Sequence, residues 1–156
     1  MTTRLHSCPE CGCLLAHPRS SPDHRRFFGM ISAAFKQWPH GHPYQPTKPE
    51  ALRAWLLIRV NHVAVEFIPY DEVCVANPSL QALFRLAVES THRAKLGSKA
   101  YGETRVRPEG VEIVAAASID YTLSQKDFNP IRDAVEDILE SIIGVAAKQL
   151  LSEKAA

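Results

Sequence analysis

The sequence has almost no excess charge of either sign. Its 18 basic and 17 acidic side chains leave a net charge of +1, so no global field draws the chain to nucleic acid or to an anionic membrane. Any such surface has to come from local clustering. Apolar residues never run to the roughly 18 in succession that a membrane-spanning helix needs, and Met1-Thr2-Thr3-Arg4, followed by His6 and Cys8, lacks the apolar stretch of a signal peptide. The expectation is a cytoplasmic protein without a membrane partner. Glycine-rich phosphate loops are also missing: there is no Gly-x-Gly-x-x-Gly, Gly-x-x-x-x-Gly-Lys or Gly-x-Ser-x-Gly, which removes the familiar nucleotide-binding and hydrolase signatures. Of four cysteines, three crowd into positions 8–13, where cross-links would constrain almost nothing, which makes a poor disulfide framework and points to metal binding or free thiols instead. Internal repeats and low-complexity segments are absent.

What remains is an ordinary globular composition, 156 residues with 46% hydrophobic and 22% charged side chains, enough to bury a core. Ser21, Pro22 and Asp23 read as the N-cap, first position and first-turn acid of a helix. Its apolar face carries His24, Phe27, Phe28, Ile31, Ala34, Phe35 and Trp38, with Arg25, Gly29, Ser32 and Lys36 opposite. A proline-bearing loop over 39–49 follows, and Pro49 opens a second, apolar helix to about Val60. Val63, Val65 and Phe67 alternate as in a strand, with Glu72 to Ala76 as its expected partner. Asn77-Pro78 starts a third helix, which Gly97 closes. Pro108-Glu109-Gly110 turns a hairpin from Glu103–Arg107 into Val111–Ala116. The last helix begins at the capping box Ser124/Asp127, or restarts at Asn129-Pro130, and its stripe runs from Phe128 to Leu150. The predicted fold is α+β, a small antiparallel sheet covered by three to four helices, with a Cys-rich head over 1–17 and a single domain over 18–156.

Cys8-Pro9-Glu10-Cys11-Gly12 is similar to the knuckle of zinc ribbons and rubredoxins, in which the turn aims two thiolates at one tetrahedral ion. Two further ligands are needed. We assign Cys13 and His17, with His6, His24, Cys74 or a partner chain as alternatives, and a solvated tail with reduced thiols as the competing reading. There is no second Cys-x-x-Cys.

The second cluster is His92, Arg93, Lys95, Lys99, Tyr101, Arg105 and Arg107, in which five fixed positive charges face only Glu103. Basic side chains with an interleaved aromatic suit a phosphate backbone and a stacked base. The stretch 120–140 carries six acids against Lys126 and Arg132, so charge is polarised along the chain. Arg19, Arg25 and Arg26 add cations beside a helix N-terminus, while His24 reads as a histidine packed at the first turn. A normal solvated surface is the alternative for each. His62, Glu66 and Asp120 are the residue types of a nuclease metal cluster, on residue type alone.

The order Arg19-Ser20, His24, Arg25, Phe27, Phe28, a proline loop, Pro49-Glu50-Ala51-Leu52-Arg53-Ala54-Trp55-Leu56-Leu57-Ile58, then Ser118-Ile119 leading to Phe128 and the last helix, resembles a phage-borne family of uncharacterised proteins. It is more distantly similar to the lambdoid NinB (Orf) recombination mediators. The resemblance implies a phage or prophage accessory protein of DNA recombination or replication that forms a homodimer and binds single-stranded DNA without hydrolysing it, beside a host replication or recombination protein. Arg19, Ser20, His24 and Arg25 match the family pattern, and the cysteine head and the helix after Pro78 depart from it. The nucleic-acid contacts then expected are Arg19, Arg25, Arg26, Arg93, Lys95, Lys99, Tyr101, Arg105 and Arg107. Two other readings stand beside this one: a phage-encoded inhibitor or adaptor of a host enzyme, docking through the apolar second helix, and a metal-dependent nuclease.

Overall fold

A computed structural model of the chain describes residues 5–7, 14–16, 21–96, 101–119 and 123–153. It shows an α+β protein with a small three-stranded antiparallel sheet, as predicted, and a separate two-stranded pair, and divides into two compact units, Met1–Gln45 with Ser118–Ala156 and Pro46–Ala117.

In the first unit a short antiparallel pair, β1 (Leu5–Ser7) and β2 (Leu14–Ala16), precedes α1 (Ser21–Lys36). Phe27, Met30, Ile31 and Ala34 of α1 are fully buried, as the helical periodicity requires, and the Phe27 ring meets Phe128 edge-on at 5.3 Å. His24 is half-buried, its ring 4.6 Å from that of Phe28. After α1 the proline-rich loop is fastened by two side chains. The Trp38 indole donates to the Tyr44 carbonyl (2.8 Å), and the Gln45 amide donates to the carbonyls of Pro39, His40 and His42. These bonds give partners to carbonyls that no regular element can serve.

The second unit begins with α2 (Pro49–Arg59), which ends in a Schellman motif. Asn61 sits at φ 60°, its N–H donates to Ile58 and that of His62 to Leu57, and the chain is thereby turned into β3 (Val63–Pro69). Two short steps follow. Asp71 caps α3 (Glu72–Val75) by accepting from the Cys74 N–H at 2.7 Å, and Asn77 accepts from the N–H groups of Ser79 and Leu80 at the start of α4 (Pro78–Leu96). The hairpin β4 (Gly102–Arg107) and β5 (Gly110–Ala116) completes the sheet, in the order β3-β5-β4.

The expected partner of β3 is therefore corrected. Glu72 to Ala76 forms a helix, because the Asp71 cap supplies a helical start, and β3 pairs instead with β5, from Val63↔Ala116 to Pro69↔Gly110. The last helix is also corrected. The Ser124 hydroxyl does accept from the Asp127 N–H and α5 runs unbroken through Pro130, Gln125–Ile143. It stops, however, at Gly144, whose φ of 76° places it in the left-handed conformation that ends helices. Leu150 belongs to a separate α6 (Ala147–Glu153) and is fully buried there.

Paired residues of an antiparallel sheet share a face. Val111 and Ile113 of β5 point to the face covered by α3 and α4, where they pack with Tyr70, Cys74 and Val88, flanked by Ile68, Leu80 and Phe84. Thr104 on the same face donates to Glu89 of α4. The other face carries Val114, fully buried. α2 contacts β5, and its Arg59 forms an ion pair with Glu103, which places the end of α2 beside the Val114–Glu103 row.

Gly110 is the tightest point of the unit. A Cβ there would lie 2.3 Å from the Ile68 carbonyl oxygen, 2.8 Å from Pro69 Cα and 2.9 Å from the end of the Phe67 ring. Two of these are backbone atoms that cannot swing aside. Gly110→Ala is expected to destabilise the protein by about 1–3 kcal/mol, the usual cost of overpacking. Gly41→Ala, with open space around the new carbon, should stay within about 0.5 kcal/mol of wild type. Urea unfolding of the two variants side by side checks both.

Candidate functional site

The two cross-strand registers build a grid of nine residues on the partly open face. Across β3, β5 and β4 the rows are Pro69–Gly110–Arg107, Phe67–Glu112–Arg105 and Val65–Val114–Glu103. The β3 column is apolar and exposed, with Val65 at 50% and Phe67 at 46% of full accessibility. The β4 column is charged. Strands lie about 4.8 Å apart, so the backbones of β3 and β4 are about 10 Å apart with β5 between, and the Phe67 ring leans across that gap toward Gly110.

This geometry corrects the electrostatics expected of the basic run. Arg107 is bonded to Glu112 at 3.0 Å, and Arg105 reaches Glu103 at 3.9 Å. The Tyr101 hydroxyl donates to Glu103 at 2.8 Å. The hydrogen bond and charge of Glu112 hold Arg107 protonated beyond its ordinary range. Glu103 and Glu112 thus offset two cations that in sequence face Glu103 alone. His92, counted with that run, is buried on α4. Arg93 and Lys95 fall in the last turns of α4. Arg19, Lys99 and the head residues Cys8, Cys11, Cys13 and His17 lie outside the described residues.

On α1, Arg25 and Arg26 are exposed. Asp23 at the helix start accepts from Gln125 at 3.0 Å and lies 3.8 Å from Arg132, which also binds Asp133. These bonds tie the start of α1 to α5, and Arg26 acts electrostatically on Glu136 of the same helix. The first turn of α1 is therefore tied to α5 through Asp23, with Arg25 and Arg26 both exposed beside it.

Among the described residues no three His, Cys, Asp or Glu side chains converge as a metal site. Asp120, the third member of the nuclease-like set, lies outside them. Cys74, an alternative knuckle ligand, is buried in the second unit's core. Burial and the neighbouring Asp71 push its thiol pKa up, which disfavours the thiolate that a metal needs. The second helix does not offer the docking face expected of it either. Ala51, Leu52, Ala54, Leu56, Leu57 and Ile58 are all buried, and its apolar excess is spent on the core.

Phe67 is the site residue that sequence reasoning missed. Alternation put it on the same side as Val63 and Val65 and did not single it out. Only the position of α2 over one end of that face leaves its ring in solvent. Comparison with protein-family models, with curated proteins and with solved structures finds no match to this chain.

Burial raises the Glu136 carboxyl above its ordinary pKa, against the opposing pull of Arg26 and Arg132. An acid with a higher pKa in the folded state loses protein stability as it ionises. Its penalty is zero below the unfolded value and complete above the folded one. Glu136→Gln is therefore expected to melt higher than wild type at pH 7 and to lose that advantage below a pH of about 4. Melting temperatures across that range check the sign.

Proposed function

We propose that the open face of the three-stranded sheet binds single-stranded DNA, with Phe67 as the stacking platform and Arg105 and Arg107 as the phosphate contacts. The observation that carries this reading is the row Phe67–Glu112–Arg105, which sets an exposed aromatic and a guanidinium on one face of the sheet. Single strands are bound in this way because every base has a π-face and every nucleotide a phosphate. The sequence resemblance to phage recombination accessory proteins supports the choice of DNA and implies that the protein holds the strand without cutting it. On this reading the protein is a recombination or replication accessory in the cytoplasm, acting beside a host enzyme, and zinc held by Cys8, Cys11, Cys13 and His17 would serve the head rather than the chemistry of a reaction.

The paired carboxylates change how the binding should respond to salt. Phosphates must compete with Glu103 and Glu112 for the two arginines, so the steep salt dependence expected of an unpaired basic run gives way to a shallow one.

A second reading, an adaptor of a host enzyme, is favoured by Leu83 and Leu86, which stand 63% and 60% exposed on the outer side of α4. Nuclease-treated pull-down separates it, since a partner retained without nucleic acid supports the adaptor.

With a labelled single-stranded oligonucleotide, the slope of log affinity on log salt should be near −1.4 for two phosphates, at about −0.7 each. Arg105→Gln should reduce it by about one contact. Phe67→Ala should weaken binding by about tenfold, within the 1–3 kcal/mol per stacked base. Absence of binding at low salt, or a Phe67→Ala variant that binds as wild type does, overturns the proposal.

A further inference from the structure

The two edges of the sheet are built differently. β4 is guarded by Glu103, Arg105 and Arg107, and α4 packs against it, which are the usual defences of an exposed strand. β3 has almost none. It pairs with β5 over seven residues without a bulge, its single charged residue is Glu66, and its proline stands at the far end. Val65 and Phe67 are exposed on one side, and Ala64 and Glu66 on the other, so neither face of the strand is covered along its middle. Its outer N–H and C=O groups are a template for a further strand.

We propose that this edge pairs antiparallel with the same edge of a second copy of the chain, joining two three-stranded sheets into one of six about a twofold axis at Val65. The register follows from the residues. With Val65 opposite its symmetry mate, Val63 meets Phe67 of the partner subunit and Ala64 meets Glu66 of the partner subunit, so the apolar row continues and no like charges face each other. An axis at Glu66 would oppose two carboxylates, and one at Phe67 would bring Pro69, which has no N–H, into the ladder. The Val65 register avoids both faults. This goes beyond the DNA-binding reading and does not rest on it, because the pairing uses the strand's edge and is measured without nucleic acid.

The test is the molar mass of the full chain by sedimentation across a dilution series, with two further measurements. Val65→Glu, an exposed position where folding is checked by circular dichroism, places two carboxylates on the axis and should shift the dimer–monomer midpoint at least tenfold. Val65→Thr, which keeps the β-branched side chain, should leave the midpoint near wild type. Under mild oxidation Val65→Cys should yield a disulfide joining the two substituted positions, identified by peptide mass spectrometry. Glu66→Cys should not, because in this register its Cα lies about 8 Å from that of its mate, beyond the reach of a disulfide. A wild-type chain that stays monomeric throughout, or a dimer that survives Val65→Glu and gives no link at position 65, overturns the proposal.

Discussion

The backbone of β3 passes over Gly110 with no room for a side chain, and both pairings of the sheet are set by that approach. Gly110 follows the two-residue turn Pro108-Glu109, which fixes Arg107↔Gly110, and the Glu109 carbonyl accepts from the Tyr70 N–H at the end of β3. One residue thus closes the hairpin and meets the third strand. A slip of one position would exchange the faces of every side chain on the sheet. Val111 and Ile113 would leave the core under α4, and the fully buried Val114 would take their place. The Phe67 ring lying over Gly110 fills the space that a missing Cβ leaves, so the same close approach that fixes the register also holds the exposed aromatic in position.

That register determines the charges as well. Arg105 and Arg107 look like free cations because the stretch 92–107 holds Glu103 as its one acid. The hairpin folds Glu112 back between them and the apolar column, and α2 adds Arg59 to Glu103. A short basic run becomes a nearly balanced lattice whose affinity for anions depends on exchange of partners. Exposed pairs of this kind contribute little to stability, roughly 0–1 kcal/mol. The carboxylates therefore cost a ligand less to displace than a buried pair would, and they set a threshold that a phosphate has to exceed.

Much of this was legible in the sequence, and the limits are specific. Short-range chemistry reads well: Asn77-Pro78, Ser124/Asp127 and Pro108-Glu109-Gly110 each mark an element end through bonds within four residues, and Pro49 opens α2. The α1 stripe reads well because a 3.6-residue period over 16 residues leaves few alternatives. Glu72 to Ala76 misled because a short stretch with four apolar residues fits a strand or a helical turn equally well, and the cap at Asp71 decides between them. The break at Gly144 was visible as a glycine inside a continuous stripe, but apolar periodicity outweighed it. Phe67 was not legible at all, since its exposure depends on where α2 lies, and no local pattern encodes that.

The exposed column of β3 is asked to serve two interactions, and the geometry keeps them apart. In the proposed dimer the new contacts run in the plane of the sheet, through backbone groups that point sideways. A base stacking on Phe67 approaches perpendicular to that plane. The two uses are then additive, because a twofold axis normal to the sheet keeps the open faces of both copies on the same side. The order across the joined sheet becomes arginine, glutamate, apolar, apolar, glutamate, arginine, with the arginine columns about 24 Å apart at five strand spacings. Two aromatic rings stand at the centre with cations at both margins. Each subunit alone offers half of that surface, so the proposed strand pairing at β3 would convert a charge-balanced face into a bivalent one, and affinity would grow through effective concentration without a new contact to the ligand.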